Sequence, residues 1–65
     1  MGYTIEDEIE DEIERTEEAI ADNNLTIMYL KKSNQYDRLL EYEKYNDIHR
    51  KRLRLLKRES KKYNQ

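Results

Sequence analysis

Eight bases crowd into a short stretch near one end of this 65-residue chain: Arg50, Lys51, Arg52, Arg54, Lys57, Arg58, Lys61 and Lys62. On a helix, such residues can enter a nucleic-acid groove and neutralise phosphates, which gives a salt-dependent affinity. The same pattern suits an anionic surface or an apolar groove rimmed by acids. Against nucleic acid stand Leu53, Leu55 and Leu56, which read as core-facing, and a whole-chain net charge of −2. Nucleic-acid binding through these eight bases is therefore the second functional reading, and no membrane partner is expected.

The opposite sign gathers at the other end. Residues 1–22 hold ten acids and one base, Arg15, whereas residues 48–65 hold the eight bases and one acid, Glu59. Between them, residues 23–47 carry four of each sign. The acids from Glu6 to Glu18 could hold a divalent cation, imitate a nucleic-acid backbone or steer a basic partner. Hard cations need oxygens that converge from a loop or from several elements, and these carboxylates radiate around one helix. Mimicry needs the acids free, and the basic end competes for them. They read as a solvated face with inter-helix ion pairs, which set orientation more than stability. No metal and no cofactor is expected.

Six tyrosines occur with no Phe or Trp. Tyr29, Tyr36, Tyr42 and Tyr45 cluster in the neutral middle, and tyrosine is enriched at protein interfaces. The competing reading places them along the edge of a thin core, ring inward and hydroxyl in water. These four form the expected partner-binding patch. Catalysis has little to work with. His49 is the one histidine and falls on a seam, while Ser33 has no nucleophile-elbow context. Two helices offer no pocket with converging groups, so the chain is not expected to be an enzyme. The absence of cysteine removes disulfides and thiolate sites. No proline is present and the one glycine is Gly2, so phosphate-cradling loops lack their usual residues. No apolar run reaches the length of a membrane span, and a cytoplasmic place is expected.

The elements that carry these residues are two amphipathic helices. Gly2 and Tyr3 lead into Thr4, which can cap a helix with Asp7 three residues on. Ile9, Ile13, Thr16, Ile20, Asn23, Ile27 and Leu30 then step by four and three in alternation, a heptad seam. Leu39, Tyr42, Asn46, His49, Leu53, Leu56, Ser60 and Tyr63 repeat the pattern, with Ile48 and Leu55 widening the stripe. The break falls either at 31–36, where Asn34 can cap a second helix, or at 22–26, where an Asn ends one helix and Thr26 caps the next.

Charge arbitrates between these breaks. Like charges at i,i+4, such as Glu6/Glu10, Glu10/Glu14 and Glu14/Glu18, cost an isolated first helix about 1–2 kcal/mol in total. Arg50/Arg54, Arg54/Arg58 and Lys57/Lys61 do the same in the second. Each half is relieved by lying beside the other, which favours the turn near 31–36. An antiparallel pairing centred on Asn34 matches Ile13 with Leu55 and Ile20 with Ile48. It also sets Asp7 by Lys61, Glu10 by Arg58, Glu14 by Arg54 and Glu17 by Lys51.

The stretch from Ser33 to Leu40 resembles the Ser-x-x-x-Asp signature of the small sporulation aspartyl-phosphatases, which are helical hairpins. That resemblance would make Asp37 the residue tied to dephosphorylating a response regulator, and it needs the inter-helix loop at Leu25-Thr26. It is the remote functional alternative.

The expected fold is all-α, a two-helix antiparallel coiled-coil hairpin in a single domain over 1–65. Helix 1 spans about 4–31, the turn about 32–35 and helix 2 about 36–63. The alternatives are an antiparallel dimer of continuous long helices and a dimeric four-helix bundle. The expected seam is Ile9, Ile13, Ile20, Ile27, Leu30, Leu39, Ile48, Leu53, Leu55 and Leu56. The expected function is that of a small non-catalytic interaction module, a regulator or inhibitor docking on a larger protein. A homodimer is also expected to be accessible, and the composition suggests a bacterial or phage gene.

Overall fold

Thr4 opens the described part of the chain with a reciprocal pair of hydrogen bonds. Its Oγ1 accepts from the Asp7 amide at 3.2 Å, and the Asp7 carboxylate accepts from the Thr4 amide at 3.3 Å. This is the capping box anticipated from the spacing, and it satisfies two amides that a helix start leaves orphaned. Glu6, Asp7 and Glu8 in the first turn and Lys31 and Lys32 in the last complement the helix dipole. The first helix, α1, runs from Ile5 to Lys32 and the second, α2, from Tyr36 to Tyr63, 28 residues each. The computed structural model describes residues 4–63; Gly2 and Tyr3 lie outside them.

Three residues reverse the chain, and Asn34 makes the reversal without glycine. Its φ of 58° lies in the left-handed region, which a short polar side chain tolerates better than most. With Asn34 so placed, its amide donates to the Lys31 carbonyl at 3.3 Å and the Gln35 amide donates to the Leu30 carbonyl at 3.0 Å. This is a Schellman motif, in which the left-handed residue closes the carbonyls of the last turn. The expectation that Asn34 caps the second helix is corrected: it ends α1. Its Oδ1 accepts a hydrogen bond from the Tyr36 hydroxyl at 3.1 Å, and α2 starts with the Leu39 amide donating to the Gln35 carbonyl at 3.1 Å. The alternative break at 22–26 lies inside α1. There Thr26 Oγ1 donates back to the Asp22 carbonyl at 3.3 Å, the usual resting place of a mid-helix threonine hydroxyl.

The two helices pack antiparallel as an all-α hairpin measuring 49 × 21 × 13 Å. That is one helix thick and about one 28-residue helix long. The hairpin closes within one chain, so the continuous-helix alternative is set aside. Among the described residues, Leu30 and Leu39, either side of the turn, are the buried apolar ones, and Thr16 and Asn46 are buried further along the seam. Ile9, Ile13, Ile20, Ile27, Tyr42, His49, Leu53 and Leu56 are half-buried, as the heptad spacing requires.

Ile48 and Leu55 are not seam residues. They are 61% and 59% exposed. At 100° per residue, Ile48 stands nine positions beyond Leu39, which is two and a half turns, and so faces away from it. His49 takes the seam place instead. The cross-helix contacts Asn24–Asn46, Glu12–Arg52 and Glu17–Lys57 centre the pairing close to Asn34 and Gln35. Counting outward from that centre sets buried Leu30 near the level of Leu39 and the half-buried Ile27, Asn23 and Ile13 near Tyr42, Asn46 and Leu56.

Asn46 is 1% exposed. Its Nδ2 donates to Asn24 Oδ1 at 2.9 Å, while its own Oδ1 has no partner among the described residues. A buried acceptor left unsatisfied costs about 1–3 kcal/mol, and a polar residue at a seam position fixes register at the expense of stability.

Two outcomes are expected from urea unfolding. Asn34→Ala lowers stability by about 1–2 kcal/mol relative to Asn34→Gly, because only the second accepts a left-handed backbone freely. Asn46→Leu raises stability by about 1–3 kcal/mol, since Asn24 is exposed and its freed amide turns to water.

Candidate interaction surfaces

The four tyrosines do not form one patch. Tyr36 and Tyr45 are nine residues apart on α2, which places them on opposite sides of that helix. Tyr42 sits half-buried in the seam and meets Tyr45 edge-on, with ring centroids 5.9 Å apart. Its ring belongs to the packing between helices as much as to any partner site. Tyr36 is drawn to the turn by its bond to Asn34. Tyr29 lies on α1, exposed, and its neighbours on the helix surface are Leu25 and Met28.

Leu25, Met28 and Tyr29 were not singled out by the heptad reading. They fall at i, i+3 and i+4, with exposed Ala21 one turn before, so they line one outward face of α1. The signal was in the sequence as a second apolar spacing, set away from the seam. Leu40 lies exposed across the turn on α2. The turn-proximal half of the hairpin thus combines near-zero charge with several uncovered apolar side chains.

The open half is charged on both helices, and the basic stretch divides into two sets. Arg52 reaches Glu12 at 2.8 Å and Lys57 reaches Glu17 at 3.9 Å, both across the seam. Arg50 turns to Asp47 at 3.6 Å and Lys62 to Glu59 at 3.2 Å within α2. Lys51, Arg54, Arg58 and Lys61 make no ion pair among the described residues. The expected matches Glu17/Lys51, Glu14/Arg54, Glu10/Arg58 and Asp7/Lys61 are therefore not formed. These four bases step by three, four and three, a ridge along the outer side of α2 that the hairpin itself leaves solvated. On α1, Glu12 bridges to Arg15 at 3.6 Å as well as to Arg52.

Groups with catalytic potential are kept apart. Ser33 Oγ donates to the Tyr29 carbonyl at 2.9 Å, completing the last turn of α1. His49 lies about 20 Å further along α2 at 1.5 Å per residue, half-buried and without a hydrogen bond among the described residues. Asp37 stands in the first turn of α2 beside the chain reversal. Because residues 22–26 are helical, the loop that the phosphatase resemblance needs at Leu25-Thr26 is absent. Among the described residues no group of three or more His, Asp or Glu side chains converges as a metal site would. No described helix is long and apolar enough to cross a membrane.

Comparison with the models of known families, with curated proteins and with solved structures gave no match. The functional reading therefore rests on the surfaces themselves.

Proposed function

We propose that this hairpin is a small interaction module, a regulator or inhibitor, that lays the outer face of α1 into an apolar groove on a larger protein. The carrying observation is the exposed set Leu25, Met28 and Tyr29, continued backward by Ala21. Anchors at i, i+3, i+4 and i+7 are the signature of a helix read by a groove. A contiguous uncovered apolar face on a small chain marks an interaction site more often than chance exposure. Its place supports the same reading, since residues 23–47 carry four acids and four bases, so no strong field of one sign surrounds it. Tyr36 and Leu40 are also exposed, beyond the turn on α2.

A second reading has its own observation. The unpaired ridge of Lys51, Arg54, Arg58 and Lys61 suits a phosphate backbone, with the other four bases of the stretch drawn into ion pairs. A helix that neutralises about four phosphates loses affinity with salt at a log–log slope of about −3 to −4.

Affinity purification from the native host, repeated with Leu25→Asp/Met28→Asp, tests the first reading. Both positions are exposed, so helical circular dichroism is expected to stay unchanged while the captured protein is lost. Capture that survives the double substitution would discard the α1 face. For the second reading, titration of duplex DNA and RNA at two salt concentrations is decisive, and the absence of any low-salt complex removes it.

A further inference from the structure

We propose that copies of this chain associate edge to edge, the outer face of α2 in one copy against the outer face of α1 in the next, with all turns at the same end. The α1 edge includes the face assigned above to a larger partner, so a neighbouring copy and that partner exclude each other there. That exclusion alone rests on the docking reading.

The hairpin is a plate 13 Å thick, and its two long edges differ in sign. α1 holds ten acids and three bases, and α2 holds ten bases and five acids. Seam residues come in pairs four apart, and the residue midway between such a pair stands about 200° from each, so it points outward. On α1 the midway residues are Asp11, Glu18 and Leu25, set between Ile9 and Ile13, Thr16 and Ile20, and Asn23 and Ile27. On α2 they are Lys44, Lys51 and Arg58, set between Tyr42 and Asn46, His49 and Leu53, and Leu56 and Ser60. All are exposed except Asp11, which is half-buried. The outermost line of α1 is thus acidic, then apolar toward the turn, and that of α2 is basic throughout.

The hairpin spends other charges on itself. Glu12, Glu17, Arg52 and Lys57 lie beside the seam and form its cross-helix bridges. On the edges, Glu14, Glu18, Lys51, Arg54 and Arg58 make no ion pair among the described residues. What the fold leaves unpaired is therefore acid on one edge and base on the other.

A second copy is the occupant that fits both edges. Moved sideways without rotation, it sets its α1 antiparallel to the first copy's α2, as within the hairpin, and levels are preserved. Glu18 of the second copy then comes near the level of Lys51, Asp11 near Arg58, and Leu25 near Lys44, whose aliphatic stem can cover the leucine. Exposed Tyr29 likewise comes near exposed Leu40. Edges of the same kind would set like charges together. A copy turned end over end would set each charged half beside a neutral one. A polyanion would cover the basic edge and leave the acidic one bare. Each contact leaves one edge of either kind at the ends, so the assembly stays open and does not stop at two copies.

Sedimentation equilibrium of the full chain in low salt, from micromolar to millimolar, is expected to show a mean mass that rises past the dimer. In about 1 M salt, where the Debye length is about 3 Å, the mass is expected to fall back toward the monomer. Glu14→Lys/Glu18→Lys and Lys51→Glu/Arg58→Glu are each expected to weaken association at least about tenfold. Their helicity is expected to stay unchanged, because all four positions are exposed, and an equimolar mixture of the two variants is expected to associate again. Oxidation of Leu25→Cys/Lys44→Cys is expected to give a ladder of dimers, trimers and longer species on a denaturing, non-reducing gel. Within one hairpin these positions lie on opposite edges, roughly 13–15 Å apart, beyond the reach of a disulfide, so every link joins two copies. A strict monomer throughout, growth that ends at the dimer, a mixture that stays monomeric, or the absence of a ladder each overturns the proposal. Should a charge reversal lose helicity, the ladder and the salt dependence decide it. All these measurements use the purified chain alone, so the association can fail while the docking reading stands, and the reverse.

Discussion

Two cylinders laid side by side touch along one line, so a pair of 28-residue helices can cover one row of side chains each and leave the rest to solvent. Everything else about this chain follows from that geometry. A buried leucine contributes about 1.5–3 kcal/mol, and among the described apolar residues burial is confined to Leu30 and Leu39. Local devices must then carry a larger share of the folding problem. The Thr4–Asp7 box closes the start of α1, and the left-handed Asn34 closes its end while aiming the chain back along it. Each removes orphaned backbone groups without needing a core to hide them.

Sorted charge works on the same fold from outside. The cross-helix bridges at Glu12–Arg52 and Glu17–Lys57 join side chains that remain well exposed, and exposed pairs add little to stability. Their effect lies in the alternatives they oppose. A parallel or badly slipped pairing would set the acidic half of α1 beside the neutral half of α2 and leave the repulsions along each helix unrelieved. Glu12 concentrates this role. It receives both Arg15, the one base in the acidic segment, and Arg52 from across the seam. Antiparallel alignment is thus specified by what the other arrangements would cost.

The hairpin, the capping box and the position of the turn were legible because each depends on residues close in sequence or on a coarse balance of charge. The finer geometry was not. Asn34 suits a helix start and a left-handed helix end about equally, and only the amide bonds from Asn34 and Gln35 decide between them. Ile48 and Leu55 read as seam residues by type, although their angular positions exclude them. Dense blocks of like charge tolerate a small shift in pairing, so they could not set the register. The contact inside the seam does: Asn46 against Asn24 places the centre close to Gln35. For the candidate surfaces, the tyrosines were noticed by type and then divided by a count of nine residues. The Leu25–Met28–Tyr29 face went unread because its spacing was treated as subordinate to the heptad.

Along the seam the apolar levels are unevenly placed. Next to the turn, Leu30/Leu39 and Ile27/Tyr42 pair apolar with apolar or aromatic residues. Beyond them come Asn23/Asn46, Ile20/His49, Thr16/Leu53 and Ile9/Ser60, in which at least one member is polar, with Ile13/Leu56 the exception. Cohesion within the hairpin therefore declines from the turn toward the open end, and local opening follows the same gradient. The open half is also where Ile48 and Leu55 stand uncovered and where the unpaired bases and acids gather. A seam weakened by Asn46 and His49, beside a second apolar stripe that the described residues leave exposed, is a poor way to build a self-sufficient hairpin. It is a coherent way to build one whose open half is completed from outside, while the firmer turn-proximal half holds the Leu25–Met28–Tyr29 face in shape.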